Sequence, residues 1–245
     1  MRYINLISKS LQTINTPGLS KAFLRNPSLA SLSSFKITAE LQKYQPTFQT
    51  IFDIGANIGQ FAFAALNRFP DAIIYSFEPV PDAFKTLRSN VKNYSKIEPF
   101  NLALGNCNGT IKFYRNDYTQ VSSHLKIDKA NQNPNFSQEA TSIIEVDISR
   151  LDDFSQQHPI SNPVLIKMDV QGMEKDVLLG GTNFLRFVEF VLFEVPLVPL
   201  YENQPLFDEM HHFMNDMGFK LVAPLGFNEG LNGKIIELDL LYKRV

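Results

Sequence analysis

Asp53, Gly55 and Gly59 stand shortly before Glu78 in the stretch IFDIGANIGQFAFAALNRFPDAIIYSFEPVP. Because glycine has no Cβ, a ligand can approach the backbone closely at both glycines. Free N–H groups and the positive end of a helix dipole at such a turn favour a carboxylate or a phosphate. An acid at the end of the following strand, where Glu78 is expected, can accept hydrogen bonds from both hydroxyls of a ribose. The stretch therefore predicts a site for a ribose-containing ligand.

Two ligands suit this spacing, a nicotinamide dinucleotide and S-adenosylmethionine. The dinucleotide fingerprint is G-x-G-x-x-G, whereas the chain reads Gly55-Ala-Asn-Ile-Gly59 and lacks the third glycine. Asp53 would repel a pyrophosphate but suits the ammonium and sulfonium of S-adenosylmethionine. A methyltransferase is therefore favoured over an NAD(P)-dependent oxidoreductase on a Rossmann-like sheet. A catalytically inactive, methyltransferase-like binding module is the third alternative, although its expected damage to the glycine loop or to Glu78 is not seen.

Further polar residues interrupt apolar stretches that are predicted to be strands. Asp169 follows PVLIKM, and Glu194 lies near the end of VEFVLFEV. A charge at the end of a buried strand is unfavourable unless it is paired or functional, so both are candidate catalytic residues, and Asp169 also suits a helix N-cap. Lys167 is predicted to pair with one of these carboxylates. His124, in the polar stretch VSSHLK, is a third candidate base.

These residues must be positioned by the short apolar segments and helical patterns that alternate from residue 50 onward. Strands that are apolar on both faces and alternate with helices predict an α/β fold with a parallel sheet covered on both sides. Ligands of such sheets bind at the C-terminal ends of the strands. Residues 106–162 interrupt the alternation with two extra strands, GTIKFYRN and ATSIIEVDIS, on either side of a long polar stretch. We expect this insertion to act as a lid.

Residues 1–46 are predicted to be an N-terminal helical arm, ahead of a methyltransferase domain over residues 47–245. A helical stripe that Pro17 stops is formed by Ile4, Ile7, Leu11 and Ile14. Residues 1–39 contain no acid, which leaves three interpretations open: an arm packed on the domain or on a second copy, a basic face for an anionic surface, or an organelle transit segment. We favour the first, which includes a possible homodimer through these helices.

Composition and charge exclude several classes of protein. The net charge of −2 over 245 residues argues against a nucleic-acid partner. The single cysteine, Cys107, rules out an internal disulfide and suits the cytoplasm. No apolar stretch reaches the length of a membrane span, and no signal peptide is recognised. No His/Cys/Asp spacing resembles a zinc site, so no metal is predicted, although a single magnesium ion stays open.

Five segments resemble, in order and spacing, the FkbM family of S-adenosylmethionine-dependent methyltransferases. They are FDIGANIGQF, SFEPVPDAFKTLRSNV, NLALG, LIKMDVQGMEKDVLLGG and ELDLLYKR, and together they extend from about Thr50 to Arg244. The resemblance implies a class I methyltransferase: a doubly wound, mostly parallel, Rossmann-like sheet of seven strands with an antiparallel C-terminal strand. It also implies O-methylation of a hydroxyl on a saccharide or secondary metabolite, with S-adenosylhomocysteine as the product.

The same resemblance assigns roles to particular residues. Those expected to line the methionine part of the cofactor are Asp53, Gly55, Asn57 and Gly59. Glu78 is expected to bind the ribose, and Pro79, Ala103 and Leu104 to pack on the adenine. Asp169 is expected nearest the transferred methyl group and is our first candidate for the general base, ahead of Glu194 and His124. The family commonly reads Asp-Val-Glu-Gly here, whereas this chain has Gln171 in place of the glutamate.

Overall fold

The structure is a computed structural model that describes residues 16–115, 142–201, 203–230 and 233–245. The helical stripe predicted ahead of Pro17 lies outside these residues. So does the centre of the predicted lid, with His124.

A seven-stranded sheet forms the centre of the fold, with strand order β3-β2-β1-β7-β8-β10-β9. Its strands are β1 (Thr50–Ile54), β2 (Ile73–Phe77), β3 (Ile97–Phe100), β7 (Val164–Met168), β8 (Phe190–Pro196), β9 (Phe219–Glu229) and β10 (Ile235–Arg244). The first five strands pair in parallel, and β10 runs antiparallel to both of its neighbours. The predicted doubly wound α/β fold with an antiparallel C-terminal strand is therefore confirmed.

Helices cover both faces of this sheet. They are α1 (Leu19–Arg25), α2 (Leu32–Tyr44), α3 (Gln60–Arg68), α4 (Pro81–Val91), α5 (Leu151–Ser155), α6 (Glu174–Leu179), a 3-10 helix (Phe184–Phe187) and α7 (Phe207–Asp216). Every residue of β1 is buried, because successive side chains of a strand point to opposite faces and both faces are covered. Phe52 packs with Phe77 and Phe154 on one face, and Ile51 packs with Leu165 on the other.

The insertion builds a second, three-stranded sheet beside the first. It has the order β4-β6-β5, with β4 at Ala103–Gly105, β5 at Gly109–Arg115 and β6 at Ser142–Arg150. Both extra strands predicted from the sequence are present. The apolar segment EPFNLAL, over residues 98–104, does not form a single strand, since the chain leaves the main sheet after Phe100 and joins the small sheet at Ala103. Asn101 lies at this break, where its side-chain amide donates to the carbonyls of Glu78 and Pro79 at 2.9 Å each.

The described helices of the N-terminal arm pack against the main sheet domain. Leu41 of α2 is buried in the same apolar cluster as Ile51 and Leu165, and Ser31 caps α2 by accepting a hydrogen bond from the Ser34 N–H at 3.3 Å. The division of the chain at residue 46 stays a prediction, as does a homodimer through this arm. Within the described ranges, no helix has the length and apolar character needed to cross a membrane.

Candidate functional site

A cleft of about 490 Å³ opens at the C-terminal ends of the central strands. The chain passes from β1 to β2 on one side, and β7 lies on the other side of β1. The loops after β1 and β7 therefore lead away in opposite directions, which leaves a crevice at the switch in strand order. This crevice is lined by eight of the residues that the sequence predicted for the site: Gly55, Asn57, Glu78, Pro79, Ala103, Leu104, Asp169 and Glu194.

The loop after β1 uses most of its own N–H groups internally. The Gly55 and Ala56 N–H groups both donate to the Phe77 carbonyl, at 3.0 and 2.9 Å, and the Gly59 N–H donates to the Ala56 carbonyl at 2.8 Å. The free N–H groups expected at this turn are therefore largely committed to the fold. A pyrophosphate needs such donors, so the geometry counts against a dinucleotide.

Close packing and backbone conformation explain the two glycines of this loop. Gly55 has a φ of 78°, and a Cβ added there would lie 1.9 Å from the Asp169 carbonyl oxygen. Gly59 has a φ of 95°, and its Cβ would lie 2.8 Å from Leu87 Cδ1. Asn57, with a φ of 48°, is a residue type that tolerates the left-handed region. The absence of a side chain at Gly55 thus allows the loop after β1 to pack against the loop after β7.

Gly55→Ala is expected to destabilise the protein by more than about 3 kcal/mol, because backbone must move as well as adopt a strained φ. Gly233→Ala is the matched control, since Gly233 has a φ of 69° and nothing within 4 Å of an added Cβ. The control isolates the cost of the positive φ, about 1–2 kcal/mol. Urea unfolding of both variants measures the difference. Equal losses of stability in the two variants would show that the close approach to Asp169 is not the reason for a glycine at position 55.

Glu78 is almost fully buried, with its carboxylate aimed at the loop after β1. Its Oε2 accepts a hydrogen bond from the Asn57 N–H at 2.9 Å, and its Oε1 accepts one from the Val80 N–H at 2.9 Å. Burial raises the pKa of Glu78 to about 7, although both backbone hydrogen bonds oppose the shift. A carboxylate oxygen has two lone pairs, so each oxygen can still accept a bond from a ribose hydroxyl.

An apolar wall continues from Glu78 along one side of the cleft. It consists of Pro79, Val80, Leu102, Ala103, Leu104, Phe113 and Met173. Sequence reasoning found Pro79, Ala103 and Leu104 but missed Phe113 and Met173. Phe113 comes from β5 in the insertion, whose alternation of apolar and polar residues indicated a strand but not its neighbours. The wall has the apolar character that suits an adenine ring.

Asp53 does not line the cleft. It is completely buried, and its Oδ1 lies 3.3 Å from Nζ of Lys167, which does line the cleft. Burial lowers the pKa of Lys167, but Asp53 and Asp169 more than offset this, and the net pKa is raised. The ammonium therefore stays charged and neutralises Asp53. The sequence prediction that Asp53 attracts a cationic ligand directly is not supported, because Lys167 stands between them.

Asp169 lies at the end of β7 with 44% of its side chain exposed. Its Oδ1 accepts a hydrogen bond from Gln171 Nε2 at 2.7 Å. Its Oδ2 lies 3.9 Å from Lys167 Nζ, beyond hydrogen-bonding distance. The predicted pairing of Lys167 with Asp169 is thus secondary to its closer pairing with Asp53. Of the two candidate bases that the structure describes, Asp169 and Glu194, only Asp169 combines high exposure to the cleft with an oxygen that makes no direct hydrogen bond within the described residues.

Glu194 lies deeper in the cleft, in a group of acids that the sequence analysis missed in part. Asn228 Nδ2 donates to Glu194 Oε1 at 2.6 Å and to Glu237 Oε2 at 3.2 Å, and Asp239 is the strand partner of Glu194. Burial raises the pKa of Glu194 well above its usual range. Glu237 and Asp239 are charged residues within the apolar strand segment IIELDLLYK. A charge in an apolar strand is also the signal by which Glu194 was identified.

The described residues contain no group of three or more His, Cys, Asp or Glu side chains arranged to hold a metal ion. The acids of the cleft therefore give no support for a magnesium site.

Stability is expected to fall as the pH rises from about 4.5 to 7. Burial raises the pKa of Glu78, Glu174 and Glu237 to about 7 and that of Asp239 to about 6. Because these values exceed the unfolded ones, the folded chain binds more protons in this window, and each carboxyl contributes up to about 1.4 kcal/mol per pH unit. Urea unfolding at pH 5.5 and pH 8 measures the difference, and Glu237→Gln should reduce it. Equal or greater stability at pH 8 would contradict the assignment.

The N-terminal arm also reaches the cleft. Ser33, Ser34 and Ile37, from the first turns of α2, lie on its rim. The sequence analysis placed the arm against the domain but not at the site, because the amphipathic pattern of a helix does not say what its partner is. His124 lies outside the described residues, and its role stays a prediction.

Comparison with known proteins places this cleft in a family. The model of the methyltransferase FkbM domain matches residues 53–221, more than half of the chain. The 2-O-methyltransferase NoeI of Sinorhizobium fredii is 29% identical over 87% of this chain and 87% of its own length. The hexuronic acid methyltransferase AglP of Haloferax volcanii is 30% identical over 59% of this chain and 55% of its own length.

Among solved structures, the chain is similar to the 1,6-didemethyltoxoflavin-N1-methyltransferase of Burkholderia thailandensis with bound 1,6-didemethyltoxoflavin and S-adenosylhomocysteine. The match covers 98% of this chain and 90% of that chain, at 9% identity and a TM-score of 0.49.

Proposed function

The chain belongs to the FkbM family of methyltransferases, and we propose that it transfers the methyl group of S-adenosylmethionine to a hydroxyl of a saccharide. The observation that carries the proposal is the position of two carboxylates on one cleft. Glu78 lies beside the apolar wall, and the partly exposed Asp169 lies at the end of β7. A nucleoside donor needs a carboxylate that can accept hydrogen bonds from its ribose hydroxyls, and a hydroxyl acceptor needs a base within reach of its proton.

The residues of the cleft fit S-adenosylmethionine on chemical grounds. Glu78 offers lone pairs for the two ribose hydroxyls, and the apolar wall suits the adenine. Asn57 and Gly55 lie at the end of β1, where the methionine part is expected. Carboxyl groups outnumber the single ammonium, that of Lys167, among the described lining residues, which favours a ligand with a sulfonium and an ammonium. Asp53 would influence the ligand only indirectly, through its ion pair with Lys167.

When bound, S-adenosylmethionine supplies an electrophilic methyl group on a sulfonium. The protein must align the acceptor oxygen with that methyl group, and alignment of this kind is worth roughly 7–11 kcal/mol. Asp169 Oδ2 would accept the proton of the acceptor hydroxyl, and general-base catalysis of this kind adds about 10²–10⁴-fold to the rate. Glu194 is a weaker candidate, because its raised pKa favours the protonated form and Asn228 already donates to it.

The names of two relatives support this reaction, since the first names transfer to an oxygen and the second names a sugar acid. One is a 2-O-methyltransferase and the other a hexuronic acid methyltransferase. The acids beyond Asp169 can hold sugar hydroxyls, since Glu194, Glu237 and Asp239 all line the same cleft. No nucleic-acid partner or metal ion is part of the proposal. A cytoplasmic location, a homodimer and the closing of residues 106–162 over the acceptor remain predictions within it.

Incubation with S-adenosylmethionine and a panel of methyl glycosides tests the proposal. The panel includes neutral hexosides, deoxyhexosides, amino sugars and hexuronides, and mass spectrometry detects a gain of one methylene unit. We expect methylation of at least one glycoside at a hydroxyl, with formation of S-adenosylhomocysteine. Tight binding of S-adenosylmethionine without transfer to any member or to a hydroxylated aromatic panel would support a binding module instead. Binding of NAD(H) in place of S-adenosylmethionine by calorimetry would support the oxidoreductase.

A further inference from the structure

A chain of two hydrogen bonds leads from a buried tyrosine to Asp169. The Tyr201 hydroxyl donates to Gln171 Oε1 at 2.7 Å, and Gln171 Nε2 donates to Asp169 Oδ1 at 2.7 Å. Tyr201 precedes α7 and Gln171 lies in the loop after β7, so the chain joins two separate segments. Tyr201 is 1% exposed, which protects this end of the chain from competition by water.

The direction of these bonds is fixed by chemistry. Burial raises the pKa of Tyr201 far above its usual range, so the phenol keeps its proton and acts as a donor. The side-chain amide of Gln171 has one acceptor oxygen and one NH₂ donor group. Once the oxygen accepts the hydrogen bond from Tyr201, the NH₂ group must face Asp169. Asp169 Oδ1 then accepts the hydrogen bond from Gln171.

The loop that carries Gln171 is held in place on both sides. Glu174 accepts hydrogen bonds from the Val170 and Gly172 N–H groups at 3.1 Å each. Gln171 itself has a φ of 54°, in the left-handed region, which is costly for a residue with this side chain. Such a conformation persists only where its surroundings enforce it. Here it directs the amide between Tyr201 and Asp169.

We propose that Gln171, oriented by Tyr201, is a positioning residue that turns Asp169 so that Oδ2 meets the acceptor hydroxyl, and that as a neutral donor it adds no second carboxyl beside Asp169. The proposal rests on the proposed function, in which Asp169 is the base. A glutamate at 171 would place a second carboxyl about 2.7 Å from Asp169, and two such groups share a proton rather than ionise together.

Other charges act on Asp169 as well, and a test based on pH must hold them constant. The titratable groups around Asp169 in the described residues are Asp53, Glu78, Lys167, Glu174, Glu194, Tyr201, Glu237 and Asp239. The variants therefore change only Gln171 and Tyr201. Gln157→Glu, exposed in the turn that follows α5 and outside the residues that line the cleft, controls for the added charge.

The first experiment follows Gln171→Glu in the full-length protein. We expect the acid limb of the kcat–pH profile, measured on the best glycoside of the panel, to move up by at least about one pH unit. On that limb kcat then falls about tenfold at a given pH, and the Kd of S-adenosylmethionine stays unchanged. Carbon-13 NMR of aspartate-labelled protein with bound S-adenosylhomocysteine should show the same upward shift in the Asp169 carboxyl titration. An unmoved profile and an unmoved titration would overturn the proposal.

The second experiment tests the role of Tyr201. Gln171→Met, which keeps the length of the side chain but cannot hydrogen bond, should lower kcat about tenfold with little change in KM for S-adenosylmethionine. Tyr201→Phe should act in the same direction, and the double variant should be no worse than Gln171→Met alone, because both changes break one chain. Additive losses, or equal losses in cofactor binding and turnover, would mean a merely structural role.

These outcomes are distinct from a failure of the proposed function. If the wild-type protein methylates no glycoside, the proposed function fails, and the NMR titration still tests whether Gln171 controls Asp169. If glycosides are methylated but Asp169→Asn keeps wild-type turnover, the assignment of the base fails while the reaction stands. A glycoside that is methylated with an unmoved Gln171→Glu profile contradicts the positioning role alone.

Discussion

Asp169→Asn is expected to lower kcat about 10²- to 10⁴-fold, with little change in the Kd of S-adenosylmethionine. The asparagine keeps the size of the side chain and can still meet Gln171, but it cannot accept a proton from a hydroxyl at neutral pH. The cofactor contacts that we propose lie at Glu78 and the apolar wall, whereas Asp169 lies at the end of β7 with 44% of its side chain exposed. Steady-state kinetics on the best glycoside and calorimetry with S-adenosylmethionine measure the two quantities separately.

Asp216→Asn is the matched control, because Asp216 is exposed at the end of α7 and away from the cleft. It should keep both wild-type values. Comparable losses of turnover and of cofactor affinity in Asp169→Asn would move Asp169 from the acceptor to the cofactor part of the site. Glu194 would then be the next residue to test.

Glu78→Gln is expected to weaken S-adenosylmethionine binding about 10²- to 10⁴-fold, since hydrogen bonds to a charged group are worth about 1.5–3 kcal/mol each and the proposed role gives Glu78 two of them. The amide has one acceptor oxygen, so it also leaves unpaired one of the two backbone N–H groups that now donate to Glu78, those of Asn57 and Val80. At saturating cofactor, kcat should recover most of its wild-type value. Calorimetry and the dependence of rate on cofactor concentration test both statements.

Glu98→Gln is the control for this change, because Glu98 lies on the neighbouring strand β3 but is exposed. If the Glu78→Gln protein binds the cofactor with wild-type affinity, the proposal that Glu78 binds the ribose hydroxyls is wrong. A protein that binds normally but turns over slowly would instead link Glu78 to the chemical step.

Local sequence was sufficient to predict the frame of the site. Strands apolar on both faces require helices on both sides, and this alone leads to a parallel sheet with its ligands at the C-terminal strand ends. Glu78 was placed at such an end because the spacing from Gly59 counts one helix and one strand. Asp169 and Glu194 were found because a charge in an apolar strand is unfavourable without a partner or a role.

Local sequence did not predict how residues distant along the chain meet. Nothing in TIFDIG or PVLIKM indicates that Lys167 would neutralise Asp53, since that pairing needs β1 and β7 side by side in register. Glu237 and Asp239 reach the cleft because β10 inserts between β8 and β9. Periodicity reports which face of a strand is apolar, but not which strand lies next to it.

The sequence by itself thus determined the elements, the glycine loop and the carboxyl groups available for chemistry, because each depends on residue types within a few positions of one another. The tertiary structure decided which of those groups are neutralised, which are held by Asn228 or Gln171, and which stay open to a ligand. Those outcomes depend on strand order, on burial and on distances of about 3 Å between side chains, which no local pattern encodes.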